Sequence, residues 1–123
     1  MNLVDSSGLL EYFSGGNNAD EFSKPLDNIE SVIVPTICIY EMFKVVLREK
    51  DEDSAIKSIA SMKQGNIVDL TMKISIQSAK FSLNNNIPMA DSIIYTTGRM
   101  YNATIWTQDS DFRKLDNVKY FPS

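Results

Sequence analysis

Asn2-Leu3-Val4-Asp5-Ser6-Ser7 is the stretch whose reading decides the fold. A short apolar run closes on an acid and passes at once into helical patterning. Leu9, Leu10 and Phe13 form an apolar stripe, Ser6 or Ser7 is placed to cap it, and Gly15-Gly16 stops it. A strand that ends where a helix begins is a βα unit, and here the acid lies at the strand's carboxyl end. Open α/β sheets take their ligands at that edge.

Outward from this unit the same alternation repeats. Asn17 to Ser23 reads as a short helix and Pro25 to Glu30 as loop. Ser31-Val32-Ile33-Val34 reads as a β-branched strand closed by Pro35. Thr36 is expected to cap a helix reaching about Glu49, with Tyr40, Phe43 and Leu47 as its apolar stripe. Glu41, Lys44 and Arg48 form a neighbouring stripe. Asp51-Glu52-Asp53 is a charged turn or the acidic first turn of the next helix, whose face is Ala55, Ile59 and Met62 and which Gly65 ends. Asn66 to Leu70 reads as a third strand, and Thr71 as the cap of a helix with the face Met72, Ile76, Ala79 and Leu83. Asn84-Asn85-Asn86 breaks that helix, and Ile87-Pro88 begins another with Asp91 in its first turn and Ile94, Thr97 and Tyr101 along one face. Gly98 within it predicts a close approach to a neighbour. Ala103 to Thr107 is a fourth strand, followed by Asp109 and Asp111, a short helical turn at Phe112-Arg113-Lys114, and a last, edge strand at Val118 to Phe121. Strands alternating with helices predict one α/β domain over residues 1–123 with a mainly parallel sheet.

The totals fit this. A chain of 123 residues, 43% hydrophobic and 23% charged, has the length and composition of one globular domain with a real core. No apolar run approaches the ~20 residues that span a bilayer. The start lacks the basic and apolar regions of a signal peptide, so a cytoplasmic location is expected. The one cysteine, Cys38, lies in an apolar run and reads as a small buried hydrophobe. There is no histidine, which removes imidazole as a base and most zinc designs. A formal net charge of -4 gives no general affinity for nucleic acid, although acids gathered around a cation lower such a total without deciding the partner.

The candidate chemistry lies in acids at element ends. Asp5 follows the first strand, and Asp109 and Asp111 follow the fourth. Parallel strands share an edge for their carboxyl ends and sit about 4.8 Å apart. Glu41 and Asp91 stand near the starts of helices that can reach the same edge. Grouped carboxylates repel unless they share a proton or hold a cation, and an oxygen-only set favours magnesium or manganese. Such ions orient a phosphate and lower the pKa of a bound water. Ser6 and Thr107 are placed to bond a scissile phosphate or a bound water. Taken singly, Asp5 also reads as a helix cap, Glu41 as a surface partner of Lys44, Asp91 as a helix-start acid, and Asp109-Ser110-Asp111 as a turn. Lys44, Arg48, Arg99 and Arg113 read as solvated charges, and Trp106 as core.

The ordered set resembles the PIN-domain ribonucleases, in particular the toxins of virulence-associated (VapC-type) type II toxin–antitoxin pairs. The opening Leu3-Val4-Asp5-Ser6-Ser7-Gly8-Leu9-Leu10 resembles the first motif of that family. Glu41 after Val34-Pro35-Thr36 matches its second acid, Ile87-Pro88-Met89-Ala90-Asp91-Ser92 resembles the third motif, and Thr107-Gln108-Asp109-Ser110-Asp111-Phe112 the last. Ser7 stands where many members carry asparagine. The resemblance covers nearly the whole chain. It implies a three-layer α/β/α fold with a parallel sheet of four or five strands. It implies Asp5, Glu41, Asp91 and Asp109 as catalytic ligands of one or two magnesium or manganese ions, with Ser6, Thr107 and Asp111 auxiliary. It also implies hydrolysis of RNA to 5′-phosphate and 3′-hydroxyl ends, a homodimer, and a cognate antitoxin that fills the acidic groove.

Other small α/β designs fit less well. A phosphorylation receiver needs a phosphoacceptor after a central strand and a lysine after a late one, whereas Asp69 follows a weak strand and Lys114 or Lys119 is poorly placed. A haloacid-dehalogenase-like phosphatase needs an Asp-x-Asp pair after the first strand, where this chain has Asp5-Ser6-Ser7. A PIN-like module that only binds a partner is the remaining alternative.

Overall fold

Five short strands and six helices alternate along the chain in a computed structural model that describes residues 1–123. They are β1 (Asn2–Val4), α1 (Ser6–Ser14), α2 (Ala19–Leu26), β2 (Ile33–Pro35), α3 (Thr36–Glu49), α4 (Glu52–Met62), β3 (Asn66–Val68), α5 (Met72–Asn85), α6 (Met89–Met100), β4 (Thr104–Thr107) and β5 (Val118–Tyr120). Single 3-10 turns lie at Ile29–Ser31 and Ser110–Phe112.

Every strand pairing is parallel. Leu3 of β1 is in register with Ile105 of β4, Ile105 with Val118 of β5, and Val34 of β2 with Ile67 of β3. One parallel bridge, Asn2 to Val32, joins the two ladders. The resulting order is β3-β2-β1-β4-β5. Parallel neighbours need long crossovers, and the helices supply them.

Alternation along β1 separates the two helical layers. Leu3 and its partner Ile105 face α6, where a Cβ added to Gly98 would lie 2.9 Å from Ile105 Cδ1 and 3.3 Å from Leu3 Cδ1. Val4 points to the opposite face, against Gly8 of α1 and Phe22 of α2. The architecture is therefore three layers, α/β/α, around a parallel sheet. Leu3, Val4, Phe22, Ile33, Met42, Ile94, Ile105 and Phe112 are all buried in one core. No helix is long and apolar enough to cross a membrane.

The sequence reading holds for the element order and differs from the structure in three local respects. The α2 helix runs through Pro25 to Leu26. The proline lies in the last turn, where it forfeits at most one helical hydrogen bond. Thr36 is not a cap: Pro35 holds that position and no side chain caps α3. On α3 the buried pair is Cys38 and Met42, while Tyr40 and Leu47 are exposed. On α5 the inward residues are Ile74 and Ser78, and Met72, Ile76 and Leu83 point outward. Tyr101 at the end of α6 is also exposed. The α3 and α5 helices each carry two apolar stripes, and periodicity does not say which one meets the rest of the protein. The caps at Asp51 and Thr71 form as expected, each side chain accepting a backbone N–H three residues on.

The tight seam at Gly98 gives a direct test. Alanine there gains about 1 kcal/mol of helix propensity, but overpacking a filled core costs about 1–3 kcal/mol. Gly98→Ala is expected to lower the urea midpoint without changing the slope, whereas a variant more stable than the parent would show that the seam yields.

Candidate active site

The strand order places a topological switch point between β1 and β4. From β1 the chain moves to β2 and β3, then crosses back to β4 on the other side. The crevice outside the carboxyl ends of such strands is where α/β sheets take ligands. Asp5 follows β1 there, and its N–H extends the ladder to the Trp106 carbonyl at 3.1 Å.

Asp5 is 2% exposed and its carboxylate is well bonded. Oδ1 accepts the Ser7 hydroxyl at 2.7 Å and the Gly8 N–H at 2.9 Å, and Oδ2 accepts the Thr107 hydroxyl at 2.6 Å. Asp5, rather than Ser6 or Ser7, is thus the N-cap of α1. The cap bond joins α1 to β1, and the Thr107 bond joins β1 to β4. Burial pushes the Asp5 carboxyl up to about 6, with the Thr107, Ser7 and Gly8 bonds opposing and the nearby Asp109 adding.

The hydroxyls are occupied by this scaffold. Thr107 Oγ1 also accepts the Asp109 N–H at 2.9 Å, and Ser7 Oγ accepts the Gln108 N–H at 3.1 Å. Ser6 Oγ donates to Glu41 Oε1 at 2.6 Å. Glu41 is therefore not the partner of Lys44, whose ammonium lies 5.7 Å from the centre of the Tyr40 ring. Cys38 is fully buried, as its apolar surroundings predicted, and burial pushes its thiol well up. Ser7 is a link that the sequence reading credited with capping alone. Its contacts reach from α1 to the segment after β4, so no local signal could have shown them.

Three carboxylates converge in front of Asp5. Asp91 comes from the first turn of α6, Asp109 from the end of β4, and Asp111 from the 3-10 turn that Asp109 caps by accepting the Asp111 N–H at 2.9 Å. One oxygen of each lies within 4.8 Å of the others. The Asp91 carboxyl is raised to about 8, first by burial and then by the charges of Asp109 and Asp111. This oxygen-only, mutually repelling group suits a hard divalent cation. Of the residues singled out in the sequence, Asp91, Asp109 and Asp111 form the compact group. Asp5 stands close enough to feel the Asp109 charge, and Glu41 is tied to the start of α1 through Ser6.

The PIN domain pattern matches residues 3–118. The chain belongs to the PIN-domain family. Solved structures share the fold of this PIN domain at low identity. A chain of a toxin–antitoxin complex from Klebsiella pneumoniae aligns over 100% of both chains with a TM-score of 0.83 and 18% identity. VapC20 of Mycobacterium tuberculosis, described as a sarcin–ricin loop cleaving toxin, aligns over 98% of this chain and 89% of its own, with a TM-score of 0.74 and 10% identity. VapBC2 from Rickettsia felis, solved on a fragment of promoter DNA, aligns over 98% and 97% with a TM-score of 0.75 and 14% identity. No curated protein sequence matches the chain.

The raised carboxyls fix the sign of a pH effect. Asp91 near 8 and Asp5 near 6 both bind a proton more tightly in the folded chain than in the unfolded one. Their contribution to stability is complete below about pH 4 and is lost as pH rises through the folded values. In chelator, the melting temperature is expected to fall between pH 5 and about pH 8.5. Asp91→Asn should flatten the upper part of that fall, and an unchanged slope in this variant would remove Asp91 as its source.

Proposed function

We propose that this PIN domain is a magnesium- or manganese-dependent endoribonuclease, the toxin of a toxin–antitoxin pair acting in the cytoplasm. The observation that carries the reading is the convergence of Asp91, Asp109 and Asp111 within 4.8 Å at the switch point of the sheet. The matching folds from toxin–antitoxin complexes support the biological role.

Asp91 and Asp109, with Asp111 beside them, would hold the cation, and Asp5 and Glu41 would complete the catalytic set. A divalent cation held there supplies Lewis-acid chemistry: it orients the scissile phosphate, makes a water more acidic and offsets charge on the leaving oxygen. The chain's own groups do the positioning. Thr107 fixes Asp5 and the backbone of Asp109 at once, and Ser6 fixes Glu41. With these bonds made, both hydroxyls serve the reaction through the acids they hold rather than by touching the phosphate. Binding a cation there would compete with the proton that the raised Asp91 carboxyl favours, so affinity for the metal should rise with pH up to about 8.

The surface supports two partners. An acidic crevice attracts a basic segment of an antitoxin. A second copy of the chain would cover the apolar face around α5, where Leu70, Met72, Ile76, Leu83 and Met89 are all exposed. Exposed apolar residues grouped around one helix support an interface there.

Purified protein incubated with total RNA is expected to cut it with magnesium or manganese and to leave it intact in EDTA. Asp5→Asn, Asp91→Asn and Asp109→Asn should fall to the EDTA background, and Asp111→Asn should fall less. Asparagine caps helices as well as aspartate does, so Asp5→Asn should keep its fold and far-UV spectrum. Cleavage that survives both Asp91→Asn and Asp109→Asn would defeat the site. Sedimentation of Met72→Lys/Leu83→Lys should give a monomer where the parent gives a dimer, and a dimer in both would place the interface elsewhere.

A further inference from the structure

The flank of α3 beside Glu41 carries an exposed aromatic ring and an unpaired cation. Tyr40 immediately precedes Glu41 and is 61% exposed, although its place in an apolar stripe predicts burial. Lys44 sits one turn on, with Nζ 5.7 Å from the centre of the Tyr40 ring. The ion pairs of the protein are Lys24–Glu21 and Arg48–Glu49, so no carboxylate neutralises Lys44. Helical geometry puts Lys44 about 60° around the axis and ~4.5 Å along it from Glu41. Glu41 is turned toward the start of α1 by its 2.6 Å bond from Ser6. The ring and the ammonium therefore lie on the flank of α3 that adjoins Glu41, whose carboxylate reaches the residue next to Asp5.

An acidic crevice has a difficulty with a polyanionic substrate. The grouped acids Asp91, Asp109 and Asp111, with Asp5 near them, repel phosphates until cations intervene. The strand must be gripped beside the acids, by groups that hold it without reading its sequence. Aromatic rings and cations do this for single strands, because every base has a face to stack and every nucleotide a phosphate. A duplex offers no unstacked base to a ring on a helix flank.

We propose that Tyr40 and Lys44 form the gripping lip of the crevice. The Tyr40 ring stacks on an unpaired base of single-stranded RNA, and the Lys44 ammonium contacts a phosphate flanking the scissile one. The proposal deepens the ribonuclease reading and rests on it, and it can be separated from it by measuring binding apart from cleavage.

The experiment follows fluorescence anisotropy of a fluorescein-labelled single-stranded RNA of mixed sequence. It uses the Asp109→Asn protein with magnesium, and then the same protein with Tyr40→Ala, Tyr40→Phe or Lys44→Ala added. Tyr40→Ala should weaken binding about 5- to 100-fold with the salt dependence unchanged, and Tyr40→Phe should restore it. Lys44→Ala should reduce the slope of log affinity against log salt by about 0.7, the loss of one phosphate contact on a single strand. Magnesium affinity by calorimetry, measured in the wild-type background, should be the same for the parent and both alanine variants. Unchanged RNA affinity in Tyr40→Ala overturns the proposal, as does failure of the parent to bind RNA at all. A Tyr40→Ala protein that becomes monomeric while binding RNA normally also overturns it, and makes the ring a subunit contact. Binding that depends on both residues in a protein that never cleaves RNA would sustain the lip and defeat the ribonuclease reading.

Discussion

The parallel pairing of β1 with β4 is the constraint on which the rest depends. The two strands are far apart in sequence, yet Val4 and Trp106 share a register and Asp5 continues the ladder. Because the chain leaves β1 in one direction and returns to β4 from the other, no crossover helix covers the space outside their ends. A crevice is left there by topology, before any side chain is chosen. The Thr107 hydroxyl closes its floor by donating to Asp5 and accepting from the Asp109 backbone. One hydroxyl thus couples the end of the first strand to the turn that carries two of the acids.

Electrostatics then set what the crevice is good for. Asp91, Asp109 and Asp111 are brought together at the expense of burial and mutual repulsion, which together show as the raised Asp91 carboxyl. Such a group is consistent with a site for a charge of opposite sign. Asp5 solves a different problem, since three donors hold it and burial is what raises it. It is both the cap that starts α1 and the wall behind the acids. Of the readings that its position allows in the sequence, the helix cap is the one its bonds show.

The misread stripes on α3 and α5 have a common physical origin. A helix that packs on the rest of the protein along one side and carries apolar residues along another has two apolar faces. Met72, Ile76 and Leu83 repeat as regularly as any core stripe, yet point to solvent, while the inward face of α5 holds Ile74 and Ser78 with Phe81 stacked on Tyr95. Tyr40 is the same case on a smaller scale. Periodicity reports that a face is apolar, and the packing of neighbours decides whether the protein's own core is what it meets.

The sequence by itself determined the alternation of strands and helices, the parallel class of the sheet, and the acids at its strand and helix ends. Those features are written in short-range terms: β-branched runs, caps, glycine stops and the proline before α6. It also showed, in the order of its motifs, the family to which the chain belongs. Only the tertiary structure decided which acids meet. Asp91 and Asp111 are 20 positions apart in a chain whose spacing says nothing of their distance, and the folding of α6 against the end of β4 sets it at under 4.8 Å. The same holds for the hydroxyls, whose partners lie across the crevice. Local signals fix elements because they act over a few residues; sites are built where elements distant in sequence converge, and that geometry belongs to the packed chain.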